Sequence, residues 1–327
     1  MCMIMRTESG SHQISIIIAV VSGPKALVRC LHSLYSQAQA HNAEIIVPCD
    51  SLDSASLRIA EDFPGVRCVQ VPSVTEGSYD PGSLGHIRYD LQRATGLAHA
   101  NGRLIALTED HAVLASDWCS QLLVAHDENV EAAAIGGAIE NEVDSARNWA
   151  LYYCDFGRYG RPLSTSKVEF LSDVNVCYKR ESILAVRELW ERGYQETTVH
   201  WAMLRRGAKL FLNDKLVVFQ HRPNAPLIDT LRERVEWGRA FAETRVRDLG
   251  RVRSGLLFFG SPGLPLVLWL RAVSHMMRQR QAFSRILYVS PLVFLFVVFW
   301  SVGEALAYLA GLIAVRPHLV TTASGKP

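Results

Sequence analysis

A chain of 327 residues with a net charge of +2 can bury a large core and exceeds the usual single-domain size, so one large domain with an appendage, or two domains, is expected. The near-neutral total hides a skew. Between residues 222 and 285 twelve arginines stand against five acids, with no aromatic-interleaved basic surface, which points to anionic lipid headgroups and away from nucleic acid. Seven cysteines lie scattered without C-x-x-C spacing, as buried thiols of a reducing compartment do. The opening MCMIMRTESGSHQ holds no continuous apolar stretch of the signal-peptide kind, so the head is expected to stay in the cytoplasm.

In chain order, ISIIIAVV (Ile14 to Val21) is a β-branched run closed by Ser22-Gly23-Pro24, which predicts a buried strand and a turn. Pro24 opens a helix in which Leu27, Leu31, Leu34, Tyr35 and Ala38 recur at helical spacing. AEIIVPCD (Ala43 to Asp50) predicts a second buried strand, DSASLRIAEDF a second helix and VRCVQV a third strand. Residues 84 to 100 predict a helix that ends near Asn101-Gly102 and delivers the chain to the strand RLIALT. Strands alternating with helices imply an α/β fold, a mostly parallel sheet sandwiched by helices with right-handed crossovers.

The membrane end is read from three segments. Leu231, Val235, Gly238, Ala242 and Val246 form a stripe at helical spacing with arginines on other faces, which predicts an interfacial helix on the cytoplasmic leaflet. GLLFFGSPGLPLVLWL (Gly255 to Leu270) is apolar but short and broken by Gly260, Pro262, Gly263 and Pro265, so it is expected to dip into the membrane and return. The loop after it carries Arg271, Arg278, Arg280 and Arg285 without an acid and is expected to remain cytoplasmic. The run 286–315 holds one charge, Glu304, and a helix at about 290–313 is expected to cross. The alternative is a soluble core packed against these segments. The boundaries that result are 1–222 for the soluble head, 223–253 for the interfacial helix, 254–315 for membrane-associated segments and 316–327 for a tail.

The chemistry concentrates in LIALTEDHAVLASDW (Leu104 to Trp118), where Glu109, Asp110 and His111 meet at the tip of an apolar strand. They are either a strand end facing water or a divalent-cation site, since carboxylate oxygens and a neutral imidazole are metal ligands. Asp50 ends the second strand on the same edge, and in open α/β sheets the ligand crevice lies beyond the carboxyl ends of the strands. No G-x-G-x-x-G follows the first strand and no G-x-x-x-x-G-K-[ST] occurs, so neither a dinucleotide fold nor a P-loop is supported.

The order of the β-branched first strand, EIIVPCDSLD, RATGLAHANGRLIALTEDH, YQETTVHWAMLRRGAKL and VVFQHRP, over roughly residues 13–223, resembles family-2 inverting glycosyltransferases of the A-type nucleotide-sugar-binding fold. The resemblance implies that Asp50, beside Cys49, holds the nucleobase or ribose, and that Arg93 faces the nucleotide, with Ala94 where the family has Asn. It places the metal motif on Glu109-Asp110-His111, with Trp118 the tryptophan about nine residues on. Glu109 and His111, at i and i+2 of an extended segment, can reach one cation, manganese or magnesium, while Asp110 points away to the ribose or a supporting contact. His221 is then the ligand from the other side; without the resemblance it reads as a turn residue. Glu196 takes the place of the catalytic base, with Gln195 before it and Thr198 replacing an acid, and is otherwise a dipole-compensating first-turn residue. Asp173 and Asn175 in LSDVNVCYKRESI are the acceptor-side candidates.

The function so implied is a membrane-bound, metal-dependent inverting transfer of a sugar from a nucleotide-diphosphate donor to a hydroxyl acceptor, lipid-linked or a cell-envelope polysaccharide precursor. Membrane lipids are the other expected partners. A catalytically idle relative acting as a membrane partner, or a nucleotidyltransferase, are the alternatives; VVSGPKAL is a poor glycine-rich basic loop for the latter.

Overall fold

The computed structural model describes residues 12–49, 59, 62–72, 84–163, 166–222, 225–246 and 251–313. It divides into two compact units, one of residues 1–224 and 272–292, the other of 225–271 and 293–327. The first unit is an α/β fold of the expected class. Its strands are β1 (Ile14–Ala19), β2 (Ala43–Cys49), β3 (Val66–Gln70), β4 (Leu104–Glu109), β5 (Ala112–Leu114), β6 (Ala132–Asn141), β7 (Lys167–Val168), β8 (Val176–Lys179) and β9 (Lys209–Gln220). Helices α1 (Pro24–Ala40), α2 (Leu84–His99), α3 (Trp118–Glu128), α4 (Ala146–Asp155), α5 (Arg180–Leu184), α6 (Arg187–Trp190) and α7 (Glu196–Arg205) flank them. The predicted second helix, residues 53–63, lies mostly outside the described residues.

The sheet runs β3-β2-β1-β4-β8-β6-β9-β5, with β7 beside β9. Pairing is parallel through β3-β2-β1-β4, and β8 enters antiparallel to both β4 and β6. All six residues of β1 and of β4 are buried. That burial on both faces is why these strands read as unbroken apolar runs and not as alternating ones. Register then fixes the site: Ala19 at the end of β1 lies beside Glu109 at the end of β4, so the two strands release the chain on one edge.

The second unit, with the helix parts that enter it, comprises α8 (Leu227–Val246), α9 (Arg251–Gly260), α10 (Leu264–Arg278) and α11 (Phe283–Ile313). A single 3-10 turn, Ser261–Gly263, joins α9 to α10. The resulting stretch Val252–Arg278, of 27 residues, and α11, of 31, are both long and apolar enough to cross a membrane. The buried positions of α8 are Thr230, Arg234, Gly238 and Ala242. The expected stripe is corrected accordingly: Gly238 and Ala242 are on the packed face, Leu231 and Val235 flank it, and an arginine, Arg234, joins it at 1% exposure.

Candidate functional site

Beyond β1 the chain turns through Ser22 and Gly23, whose φ of +88° suits glycine. The backbone N–H groups of Ser22 and Gly23 both donate to Asp110 Oδ2, at 2.7 and 2.9 Å. Asp110 is thus the acceptor that shapes the β1–α1 turn, and it is 1% exposed. Of the two contacts expected for it, a ribose or a supporting one, this is the supporting one: two backbone N–H groups left without a carbonyl need an acceptor, and Asp110 Oδ2 supplies it.

Glu109 and His111 do project together, as i and i+2 of extended chain must. They meet each other: His111 Nε2 lies 3.1 Å from Glu109 Oε2, and His111 Nδ1 lies 3.3 Å from Asp110 Oδ1 and 3.2 Å from Ser22 Oγ. The other Glu109 oxygen accepts from Arg93 Nη2 at 2.5 Å. Burial by itself would lower the imidazole's proton affinity, but the contacts with Asp110 and Glu109 outweigh it and raise His111 to about 9. Burial would raise Glu109, and the hydrogen bond and charge of His111 with the charge of Arg93 bring it down to about 2.

Arg93 comes from α2 and is 5% exposed. The neighbouring Gln92 anchors the helix by accepting from Val20 N at 2.7 Å, which brings Arg93 to the strand ends. Its Nη2 also meets Asp173 Oδ2 at 2.8 Å. Burial disfavours its charge, yet Asp173 and Glu109 together raise its proton affinity above the ordinary arginine value. Asp173 N donates in turn to Glu196 Oε2 at 2.9 Å, at the first residue of α7. Enclosure by protein raises both carboxyls, Glu196 well above the carboxylate range, with the Asp173 charge adding to it.

Arg93, Glu109, Asp110, His111, Asp173 and Glu196 therefore form one chain of contacts. Asn175 stands apart from it. Its Nδ2 donates to Ala138 O and Leu216 O, both at 2.9 Å, and its Oδ1 accepts from Trp118 Nε1 at 3.0 Å. At 1% exposure it ties β6 and β9 to α3, where an acceptor-side position was expected for it: a buried amide takes every bond available, and here backbone carbonyls lie within reach. Asp50 lies outside the described residues.

His221 continues from β9, its N–H donating to His111 O at 2.8 Å, but its ring turns to Glu142, Nδ1 to Oε2 at 2.8 Å. Among the described residues no group of three His, Cys, Asp or Glu side chains is placed to hold a metal ion. The expected set of Glu109, His111 and His221 is not assembled in this arrangement, because Glu109 is held by Arg93 and His111 while His221 is held by Glu142.

A supporting network was missed from the sequence. Tyr178 OH lies 2.6 Å from Tyr194 OH and 2.7 Å from His200 Nε2, all three fully buried, and Tyr194 N donates to Asp90 O at 2.9 Å. Burial drops His200 to about 3, so it is neutral. The network ties β8, the start of α7 and α2 together behind Glu196 and Arg93. Its only sequence signal is three polar aromatic residues within apolar surroundings.

No family model matches the chain, and no curated protein matches it in sequence. Among solved structures, the mannosyltransferase PcManGT from Pyrobaculum calidifontis, in complex with GDP-Man and Mn2+, is similar at 14% identity and a TM-score of 0.45, over 91% of this chain and 74% of that one. A mycobacterial protein is similar at 14% identity and a TM-score of 0.46, over 71% of this chain and 74% of its own.

Proposed function

We propose that the chain is a membrane-associated glycosyltransferase that moves a sugar from a nucleotide-diphosphate donor to a hydroxyl acceptor with inversion. The acceptor is lipid-linked or a cell-envelope polysaccharide precursor, and the catalytic sheet faces the cytoplasm. One observation carries this reading: the unbroken chain of contacts from Glu196 through Asp173 and Arg93 to Glu109 and His111. It lies at the carboxyl ends of parallel strands, where open α/β sheets take their ligands. The motif order of the sequence points to the same chemistry.

In this reading Glu196 is the base. It takes the proton of the acceptor hydroxyl as that oxygen attacks the anomeric carbon from the face opposite the departing diphosphate. A carboxyl whose proton affinity is raised well above the ordinary range suits that task better than a solvated one. Asp173 fixes Glu196 through its backbone N–H, and Arg93 fixes Asp173 and Glu109 in turn, so the acceptor side and the strand ends are held by one guanidinium. The Ser22–Gly23 turn, shaped by Asp110, is the proposed border of the donor's nucleoside side, and the motif order of the sequence assigns Asp50 to the same nucleoside.

A second reading, an idle relative serving as a membrane partner, is favoured by one fact: Glu109 and His111 close on each other and on Arg93. A panel of nucleotide sugars offered to the full chain in membranes separates the two. Transfer, or slow hydrolysis, of one donor is expected. Inertness toward every donor, with and without lipid-phosphate and saccharide acceptors, would overturn the enzymatic reading.

A further inference from the structure

Within the second unit α11 is clasped by α8 at glycines. A Cβ at Gly238 would collide with the Trp300 carbonyl, and one at Gly303 with the Val235 carbonyl. Farther on, Ala242 packs with Ala307 and Tyr308, and Gly311 sits against Val246. The pairs 238 with 300, 242 with 307 and 246 with 311 advance together. The two helices thus run side by side in the same direction for three turns, roughly 16 Å. Whatever angle α8 takes to a membrane, residues 300–311 take it too.

That angle is constrained by charge. Helix α8 carries Asp229, Arg232, Glu233, Arg234, Glu236, Arg239, Glu243 and Arg245, and Arg232, Glu236 and Arg239 are exposed. A helix with such a face does not stand upright through hydrocarbon, where each charge at depth is costly. The stretch α9–α10 runs back along α11, with Phe258 against the Ala242, Ala307 and Tyr308 cluster and the Trp269 ring edge-on to Phe294 at 6.2 Å. Its exposed large side chains between residues 256 and 270 are apolar, among them Leu256, Phe259, Leu266, Val267 and Leu270. Exposed Arg253 and Arg271 flank residues 256–270, and no acid occurs between residues 249 and 303.

The first unit fixes the link between α10 and α11. Arg278 Nη2 donates to the carbonyls of Gly157, Arg158 and Gly160, at 3.3, 3.1 and 3.4 Å, and Gln279 Nε2 to Gly157 O at 2.9 Å. The Arg285 guanidinium lies 4.5 Å over the Trp149 ring. Residues 278–285 are therefore on the same side of any membrane as the sheet, so α9–α10 does not pass across.

We infer that the chain is seated in one leaflet of an anionic bilayer and that no helix among the described residues crosses it. Helix α8 and residues 300–311 lie along the headgroups, and the apolar face of α9 and α10 enters the acyl layer between flanking arginines. This rests on the membrane association proposed above and revises the crossing expected at 290–313. The test uses the full chain in sealed vesicles, with epitopes at the N-terminus, after Arg280 and at the C-terminus, probed by an impermeant protease. All three are expected to be cleaved from one side while the chain pellets with the vesicles. A C-terminal or Arg280 epitope protected alone would show a crossing and overturn the inference, leaving membrane association intact. A chain that stays in the supernatant without detergent would overturn both. As a second measurement, Phe259→Arg should weaken binding to phosphatidylglycerol vesicles tenfold or more. Unchanged partition, or an oligomer split in detergent without a change in partition, would assign that face to something other than lipid and overturn the inference equally.

Discussion

The two ends of the same three strands bury carboxylates in opposite ways. At the amino-terminal end Glu44 accepts from Ser15 Oγ at 2.6 Å, Asn101 N at 2.7 Å and Arg67 Nη1 at 2.6 Å, and these donors outweigh burial and lower its proton affinity. At the carboxyl-terminal end the carboxyls of Glu109, Asp110 and Asp173 share Arg93 and His111, a fourth, Glu196, accepts from Asp173 N, and Glu196 rises well above its ordinary range. Donors in excess make a carboxylate inert. Acids in excess raise the proton affinity of one of them, the direction in which a general base is tuned. The first cluster fixes strand register; the second is the proposed seat of the chemistry.

Breaking the second cluster should have the largest effect. Arg93→Ala leaves the buried Glu109 and the partly buried Asp173 without their shared cation, and roughly 3–5 kcal/mol of stability should go with it, read as a fall in the urea midpoint. The same substitution frees two carboxylates and should let manganese bind to the donor-free protein, which the unaltered chain is expected not to do in a Mn2+ titration followed by electron spin resonance. Tight binding by the unaltered chain would show that Glu109 and His111 part readily.

Glu196→Gln comes next. It keeps the acceptor for Asp173 N and removes the proton-accepting carboxylate, so turnover should fall by roughly a hundredfold or more while donor binding and stability hold. Near-normal turnover would move the base to Asp173.

How much of this was legible in the sequence divides along the same line. Strands β1, β2 and β4 and helices α1 and α2 follow from local pattern, because both-face burial and helical spacing are written within a few residues. So does the projection of Glu109 and His111 to one side, although a shared cation was expected there and not their direct contact. What Arg93 does depends on Asp173, 80 positions away, and no local pattern shows that the guanidinium turns onto two acids. Asn175 fails for a related reason: a polar residue in an apolar run reads as a site until the Ala138 and Leu216 carbonyls that absorb it are seen. The packed face of α8 was misread by about one position because glycines let the backbones touch, and close backbone approach favours Gly238 and Ala242 over the larger Leu231 and Val235.

The pair Glu109 and His111 predicts a smaller effect with a defined pH window. Glu109 is depressed from 4.5 to about 2, so its contribution is complete above 4.5 and lost as pH falls toward 2. His111 is raised from 6.5 to about 9, so its contribution is complete below 6.5 and lost as pH rises through 9. Their joint stabilisation is full between 4.5 and 6.5, and about 3 kcal/mol should disappear on the alkaline side. Melting temperature against pH should show that decline, and His111→Gln should flatten it. A variant with the same alkaline decline would assign it to another group.

The smallest effect sharpens the comparison most, because it repeats the arginine deletion at the other end. Arg67 bonds Glu44 at 2.6 Å, a distance close to the 2.5 Å between Arg93 and Glu109, but its side chain is 43% exposed against 6% for Arg93. Water already screens that pair and can replace the lost guanidinium, and Ser15 Oγ and Asn101 N still satisfy the carboxylate. Arg67→Ala should therefore cost under about 1 kcal/mol and leave turnover unchanged. Equal losses for Arg67→Ala and Arg93→Ala in the same urea titration would mean that burial is not what separates the two clusters. The contrast between a structural and a chemical carboxylate would then rest on the number of donors alone.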